Sequence, residues 1–197
     1  KGLVRITDNG SGMSPADLEL AVRRHCTSKI STTLDDIRTL GFRGEALAAI
    51  ASVARVTLTT RPAASEAAHL VQVDGGRVTK VGAAGAPPGT RVDVDDLFFN
   101  TPARKKFLKA PRTEGGYIED VVASAALSLP GVAFRLQIDG KVALDLPAAP
   151  ADVGPEHPLR LERAIGCLGK HVRPLLFPFT AATELVTLSG HVVAPLE

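Results

Sequence analysis

The stretch Gly41-Phe42-Arg43-Gly44-Glu45-Ala46-Leu47 places a glycine-bounded turn directly before an apolar, alanine-rich segment, Ala46 to Val53, that has the composition of a helix. The start of a helix leaves backbone N–H groups unpaired and carries a partial positive charge, so such a turn suits a bound phosphate. The same residues also serve as an ordinary tight turn, with Arg43 and Glu45 as a surface ion pair. Two further glycine elements weigh toward a nucleotide. Asp8-Asn9-Gly10-Ser11-Gly12 follows the strand-like Leu3-Val4-Arg5-Ile6, and Pro88-Gly89-Thr90 opens another strand.

Around these elements the chain alternates helices and strands. Ser14-Pro15 with Asp17 has the pattern of an N-cap, a proline at the first helical position and an acid in the first turn, so a helix is expected to about Arg24. His25 to Thr33 is polar and hydroxyl-rich, a loop, and Leu34–Leu40 is a short helix before the glycine turn. Alternation and β-branching predict strands near Arg55–Thr60, His69–Val73, Arg77–Val81 and Arg91–Val94, with a hairpin at Gly75-Gly76. A helix follows over Glu114–Leu129, then strands Ala133–Ile138 and Val142–Leu146 joined at Asp139-Gly140. Residues 147–158 hold four prolines and no periodicity, which predicts a linker. Beyond it, Leu159–Cys167 is helical, and Val172–Phe179 and Leu185–Val193 are strands. This divides the chain into 1–146, the linker 147–158, and the start of a second domain, 159–197.

A chain of 197 residues with 45% hydrophobic content fits one domain and part of another. No apolar tract approaches the length of a membrane span, and no secretory or lipidation signal is visible. The numbering begins inside a strand, so a preceding segment is expected. Cys26 and Cys167 are far apart and lack metal spacing, which suggests reduced thiols of a cytosolic protein. The net charge of +2 says little about partners. The local cluster Arg104, Lys105, Lys106, Lys109 and Arg112 says more.

Each constellation has two readings. Asp8, after a strand and before two glycines, is either a turn residue capping a local N–H or an acceptor for the exocyclic amine of adenine. In the second case Gly10 and Gly12 let the base approach the backbone. Met13 and Leu20 are either core or an apolar wall for the base. Thr27, Ser28 and Lys29 either end a polar helix or hold phosphate oxygens. His25 has no second His or Cys at ligand spacing and is assigned to structure. Thr90 is an ordinary strand hydroxyl or a partner of Asp8. The basic helix expected over Arg104–Lys109, after the turn Asn100-Thr101-Pro102-Ala103, is a solvated face or a phosphate-neutralising one. Asp93, Asp95 and Asp96 read as a solvated edge and not as a metal site.

With these segments in hand, the chain resembles the N-terminal ATPase region of the MutL family of DNA mismatch-repair proteins. Asp8 to Met13 (DNGSGM), His25 through Ile30, Gly41 through Leu47 (GFRGEAL), and Gly89 through Leu108 (GTRVDVDDLFFNTPARKKFL) carry the resemblance. The first motif and the Gly-Thr pair are shared with the wider ATPase superfamily; the other two are more specific. The resemblance implies a GHKL-type α/β sandwich, a mixed sheet covered by helices on one side, followed by the start of a second α/β domain. It implies ATP as ligand, with Asp8 on the adenine amine, Gly12 beside the base, Thr27, Ser28 and Lys29 in a lid, Gly41 to Leu47 at the phosphates, and Thr90 beside Asp8. It also implies slow ATP hydrolysis in the intact protein, an ATP-dependent homodimer or related heterodimer, a mismatch-recognition partner, and DNA binding to which Arg104 to Lys109 would contribute. The compartment it implies is the cytoplasm in a bacterium and the nucleus in a eukaryote. Cys26 stands where many relatives carry alanine. The family's glutamate base and its asparagine ligand for Mg2+ are expected before the first strand here, so none of the residues present is assigned as catalytic. The nuclease of some relatives belongs to a separate C-terminal domain. The alternative is a non-hydrolysing scaffold fragment that binds DNA and partners.

Overall fold

In the computed structural model the described residues are 2–26, 44–150, 154 and 157–193. The expected Leu34–Leu40 helix lies outside them, as do Thr27, Ser28, Lys29, Gly41, Phe42 and Arg43. Strand alternation decides the first half of the chain. Strands β1 (Leu3–Asp8), β2 (Arg55–Arg61), β3 (Ala68–Asp74), β4 (Arg77–Ala84) and β5 (Gly89–Asp95) form one sheet in the order β1-β5-β2-β3-β4. All its described pairings are antiparallel, so the mixed character expected of this sheet does not appear among them. The registers align Val4, Val94, Val56 and Val73 in one cross-strand row and Ile6, Val92, Leu58 and Val71 in the next. Residues in such a row share a face of the sheet. Helices α1 (Pro15–Ala21) and α2 (Ala46–Val53) cover the β5, β2 and β3 part of that face with Leu18, Ala51 and Ala54, and this is the core, while Val4 and Ile6 of β1 are exposed.

Local signals behave as the sequence suggests. The Ser14 hydroxyl accepts from the Asp17 N–H at 3.2 Å, with Pro15 in the first turn, although α1 ends at Ala21 and not near Arg24. The hairpin turns at Gly75-Gly76 and Asp139-Gly140 are both present, each with two positive φ angles. On the face opposite the core, Asp93 sits between two arginines: Arg5 Nε donates to Oδ1 at 2.6 Å and Arg91 approaches Oδ2 at 2.7 Å. Asp96 lies 3.5 Å from Arg55, so these acids pair with cations.

The chain divides into two compact units, 1–108 and 109–197. Within the second unit a buried arginine spans the stretch expected as a linker, 147–158. The second unit contains α4 (Pro111–Ser128), β6 (Phe134–Ile138), β7 (Lys141–Leu146), α5 (Pro158–Leu168), a 3₁₀ segment Lys170–Leu175, β8 (Leu176–Ala182) and β9 (Thr187–Val193). Arg163 of α5 is 2% exposed. Its guanidinium donates to the carbonyls of Ala126 (2.7 Å), Pro147 (2.6 Å), Leu129 (3.2 Å) and Val132. It also lies 5.6 Å from the centre of the Phe134 ring. A helix C-terminus leaves carbonyls unpaired and carries negative partial charge, which a buried cation with a planar fork of donors can satisfy. Arg163 thus joins α5 to α4 and to the chain beyond β7, across the proline-rich stretch.

Two expected elements differ in extent. The strand expected from Val172 begins only at Leu176, because Pro174 lies within a 3₁₀ segment. The basic helix expected over Arg104–Lys109 shrinks to the single turn α3 (Pro102–Lys105). Phe107 and Leu108 donate to carbonyls three residues back, and Ala110, which precedes Pro111, is extended with ψ of 145°. A residue before proline disfavours the helical region, so the chain cannot continue as one helix into α4.

Burial pushes the Asp93 carboxyl up, but the hydrogen bonds and charges of Arg91 and Arg5 outweigh it, and its pKa is net lowered. An unfolded Asp titrates near about 3.9, so the stability this cluster contributes is complete above that pH and is lost as pH falls through the lower folded-state value. Denaturation midpoints should decline less steeply below about pH 4 in Asp93→Asn than in wild type; parallel declines would refute the assignment. Arg163→Met should cost about 3 kcal/mol or more in denaturant unfolding, because it strands buried carbonyls, and Arg163→Lys should recover only part of the loss. A cost within about 0.5 kcal/mol, the range of a surface substitution, would contradict that role.

Candidate functional site

The polar end of the sheet continues the apolar rows. Asp8 at the end of β1 is opposite Thr90 of β5, which is opposite Thr60 of β2, so all three lie on the helix-covered face. Thr60 is completely buried. Its hydroxyl accepts from the Met13 N–H at 2.9 Å and lies 3.1 Å from both the Gly89 carbonyl and the Thr90 hydroxyl. One proton must serve these contacts. Thr60 satisfies all three when it donates to the Gly89 carbonyl and the Thr90 hydroxyl donates to it. The Thr90 oxygen then keeps its own lone pairs for a further donor.

Asp8 is exposed. Its Oδ1 accepts from the Gly10 N–H at 2.9 Å and the Thr90 N–H at 3.2 Å. Its Oδ2 has no protein donor among the described residues. Thr90 therefore partners Asp8 through its backbone, while its hydroxyl belongs to Thr60. The structure thus brings Asp8, Gly10 and Thr90 together.

Two of the glycines serve close approaches of backbone to backbone. At Gly12, φ is +68° and an added Cβ would lie 2.4 Å from the Arg61 carbonyl oxygen. Its freedom brings the loop against the end of β2, and the side facing Arg61 and Pro62 is filled by backbone. Gly44 (φ +60°) is similar, with an added Cβ 2.4 Å from the Cys26 carbonyl oxygen. The His25 N–H also donates to the Gly44 carbonyl at 3.1 Å, and His25 Nδ1 lies 3.4 Å from the Glu45 carboxylate. The flanks of residues 27–43 are therefore clasped together, and Glu45 partners His25.

Among the described residues, helix α2 has outside partners at only one end. Its N-cap residue Glu45 makes no side-chain cap, so the first-turn N–H groups around Ala46 and Leu47 have no capping side chain. Its last four carbonyls all have outside donors. Gly76 N–H reaches Ala51 (2.7 Å), Phe98 N–H reaches Val53 (2.7 Å) and Gly75 N–H reaches Ala54 (3.1 Å). Asn100 Nδ2 reaches Ser52 at 2.9 Å. Leu47 and Met13 pack against the core, whereas Leu20 is 44% exposed.

Arg104, Lys105, Lys106 and Lys109 are all exposed, and none of their side chains forms an ion pair among the described residues, although the Lys109 backbone N–H donates to the Glu114 carboxylate at 2.7 Å. The first three belong to one compact unit and Lys109 to the other. Among the described residues no three His, Cys, Asp or Glu side chains gather in a way that would hold a metal ion, and no helix is long and apolar enough to cross a membrane. Sequence reasoning missed Thr60 and Asn100. The alternation of Val56, Leu58 and Thr60 placed Thr60 on the core face, and that was the available signal; Asn100 had only its place in a turn.

Comparison with known proteins follows this geometry. No protein-family model matches the chain. DNA mismatch repair protein MutL of Agrobacterium fabrum is 52% identical over 195 residues, covering 99% of this chain and 31% of that protein. MutL of Desulforudis audaxviator is 54% identical over 143 residues, covering 72% of this chain and 25% of that protein. This chain thus spans about a third or less of the relatives it matches. The Aquifex aeolicus MutL ATPase domain complexed with ADP superimposes with a TM-score of 0.69 at 29% identity, covering 91% of this chain and 60% of that one. A second structure of that ATPase domain gives a TM-score of 0.68 at 26% identity, covering 99% and 62%. The antiparallel sheet with helices on one face is therefore the α/β sandwich of these ATPase domains, and the chain belongs to the MutL family of DNA mismatch-repair proteins, as a stretch of its ATPase region.

Proposed function

We propose that this chain is the ATP-binding part of a mismatch-repair protein. The observation that carries the proposal is the Asp8 carboxylate: two backbone N–H groups hold one oxygen in place, and the other is free to accept from an exocyclic amine. The lone pairs of the neighbouring Thr90 hydroxyl add a second acceptor. The uncapped start of α2, after Gly44 and Glu45, supplies N–H donors and a positive dipole end suited to phosphate oxygens. These groups lie in unit 1–108, within the span 1–146 that the sequence assigns to nucleotide binding. Gly41, Phe42, Arg43, Thr27, Ser28 and Lys29 are proposed to complete the phosphate contacts.

Bound ATP supplies a phosphoanhydride; the chain's own residues bind and orient it. The described residues gather no ligand set for Mg2+, and their assigned role is binding. In the whole protein, ATP is proposed to shift a conformational population toward closure over the nucleotide and toward a homodimer or related heterodimer, with slow hydrolysis and engagement of DNA and a mismatch-recognition protein. The unpaired, exposed Arg104, Lys105 and Lys106 favour one more reading, a contact with DNA phosphates. That contact alone would leave a scaffold whose DNA binding is indifferent to ATP.

Asp8→Asn keeps an acceptor for Gly10 and Thr90 but turns an amide donor toward the base amine. ADP affinity measured by calorimetry should fall at least about tenfold with the fold intact. Equal affinities would reject the adenine contact. For DNA, each lost phosphate contact lowers the slope of log K against log salt by about 0.9, so neutralising Lys105 and Lys106 together should lower it by about 1 to 2. An unchanged slope would acquit this segment.

A further inference from the structure

Helix α2 has an open start and a fully bonded end, and the bonded end lies far from the proposed phosphates. Eight residues span about 12 Å, one rigid rod with a different task at each tip. Of the four groups that hold the far tip, three are backbone N–H groups of Gly75, Gly76 and Phe98. The fourth, Asn100 Nδ2, is the single side chain.

We propose that Asn100 is a positioning residue for the phosphate end of the nucleotide site, acting through α2; the inference rests on the nucleotide reading above. A phosphate is recognised by N–H groups whose direction is set in advance. A helix free to slide or swivel would present those groups over a spread of positions and bind more weakly. The loop carrying Asn100 is built to hold. Asp96 (φ 49°) and Phe98 (φ 64°) adopt left-handed backbone that a bulky residue rarely takes. The loop stays there because Phe98 bonds Val53, the Phe99 ring lies 5.0 Å from the Arg55 guanidinium, and Asn100 bonds Ser52. Removing the amide frees the side-chain tether while deleting none of the groups proposed to touch nucleotide.

The test compares ADP with adenosine, which lacks phosphates, on the same protein by calorimetry. Asn100→Ala should weaken ADP about three- to fivefold, the equivalent of one hydrogen bond, and leave adenosine unchanged. Asn100→Asp, which places a carboxylate against a helix C-terminus, should weaken ADP at least as much. Unchanged ADP affinity, or an equal loss for both ligands, would overturn the proposal. If wild type itself binds no ADP, the nucleotide reading fails first and takes this one with it. Should the variants not fold, the wild-type protein decides. Reciprocity requires that ADP raise the hydrogen-exchange protection of the Gly75, Gly76 and Phe98 amides, and unaltered protection at these three would refute the link.

Discussion

A single buried hydroxyl organises the polar end of this sheet. Thr60 has no exposure, one proton and three neighbours, so its hydrogen bonding is over-determined. Because β1, β5 and β2 lie in register, fixing Thr60 fixes Thr90, and fixing Thr90 aims its N–H at Asp8. A slip of one residue between β5 and β2 would send Thr90 to the opposite face and bury an arginine or aspartate among the valines. The apolar rows that make the core thus also guard the geometry of the acid. Stability and recognition share one register.

The two faces of the sheet solve different problems. On the covered face, burial of Leu18, Val56, Leu58, Val71 and Val73 supplies cohesion, and the buried Thr60 hydroxyl has its partners inside the protein. On the other face, Asp93 is held by Arg5 and Arg91, an arrangement that neutralises charge and depends on pH. Helix α2 joins core to periphery. Its alanines sit against the strands, its end is fastened by two separate turns, and its start is left for something else to complete.

Much of this was legible in the sequence because it is local. Ser14 and Pro15 start a helix by chemistry confined to one turn, and paired glycines or Asp139-Gly140 reverse a strand by backbone freedom alone. What escaped depends on partners far along the chain. Thr60 and Asn100 look unremarkable until β5 and α2 are in place. Arg163, in an amphipathic stretch, reads as a solvent-facing charge; only the fold shows that it serves carbonyls 16 to 37 residues away. The proline-rich stretch was read as a boundary from composition, but contacts such as those of Arg163 decide where a unit ends. Residues 27–43 contain six of the ten residues assigned to the phosphates, and there the motif resemblance carries the assignment.

The buried guanidinium also governs how the polypeptide can be dissected. A protease or an engineer who severed residues 147–158 and parted the pieces would take the cation from the end of α4 and expose its last carbonyls to water. The amino-terminal piece would then meet solvent with the strand pair β6–β7 stripped of its cover from α5. A division beside Leu108 cuts no such tie to Arg163, so the place richest in proline is the costlier place to cut.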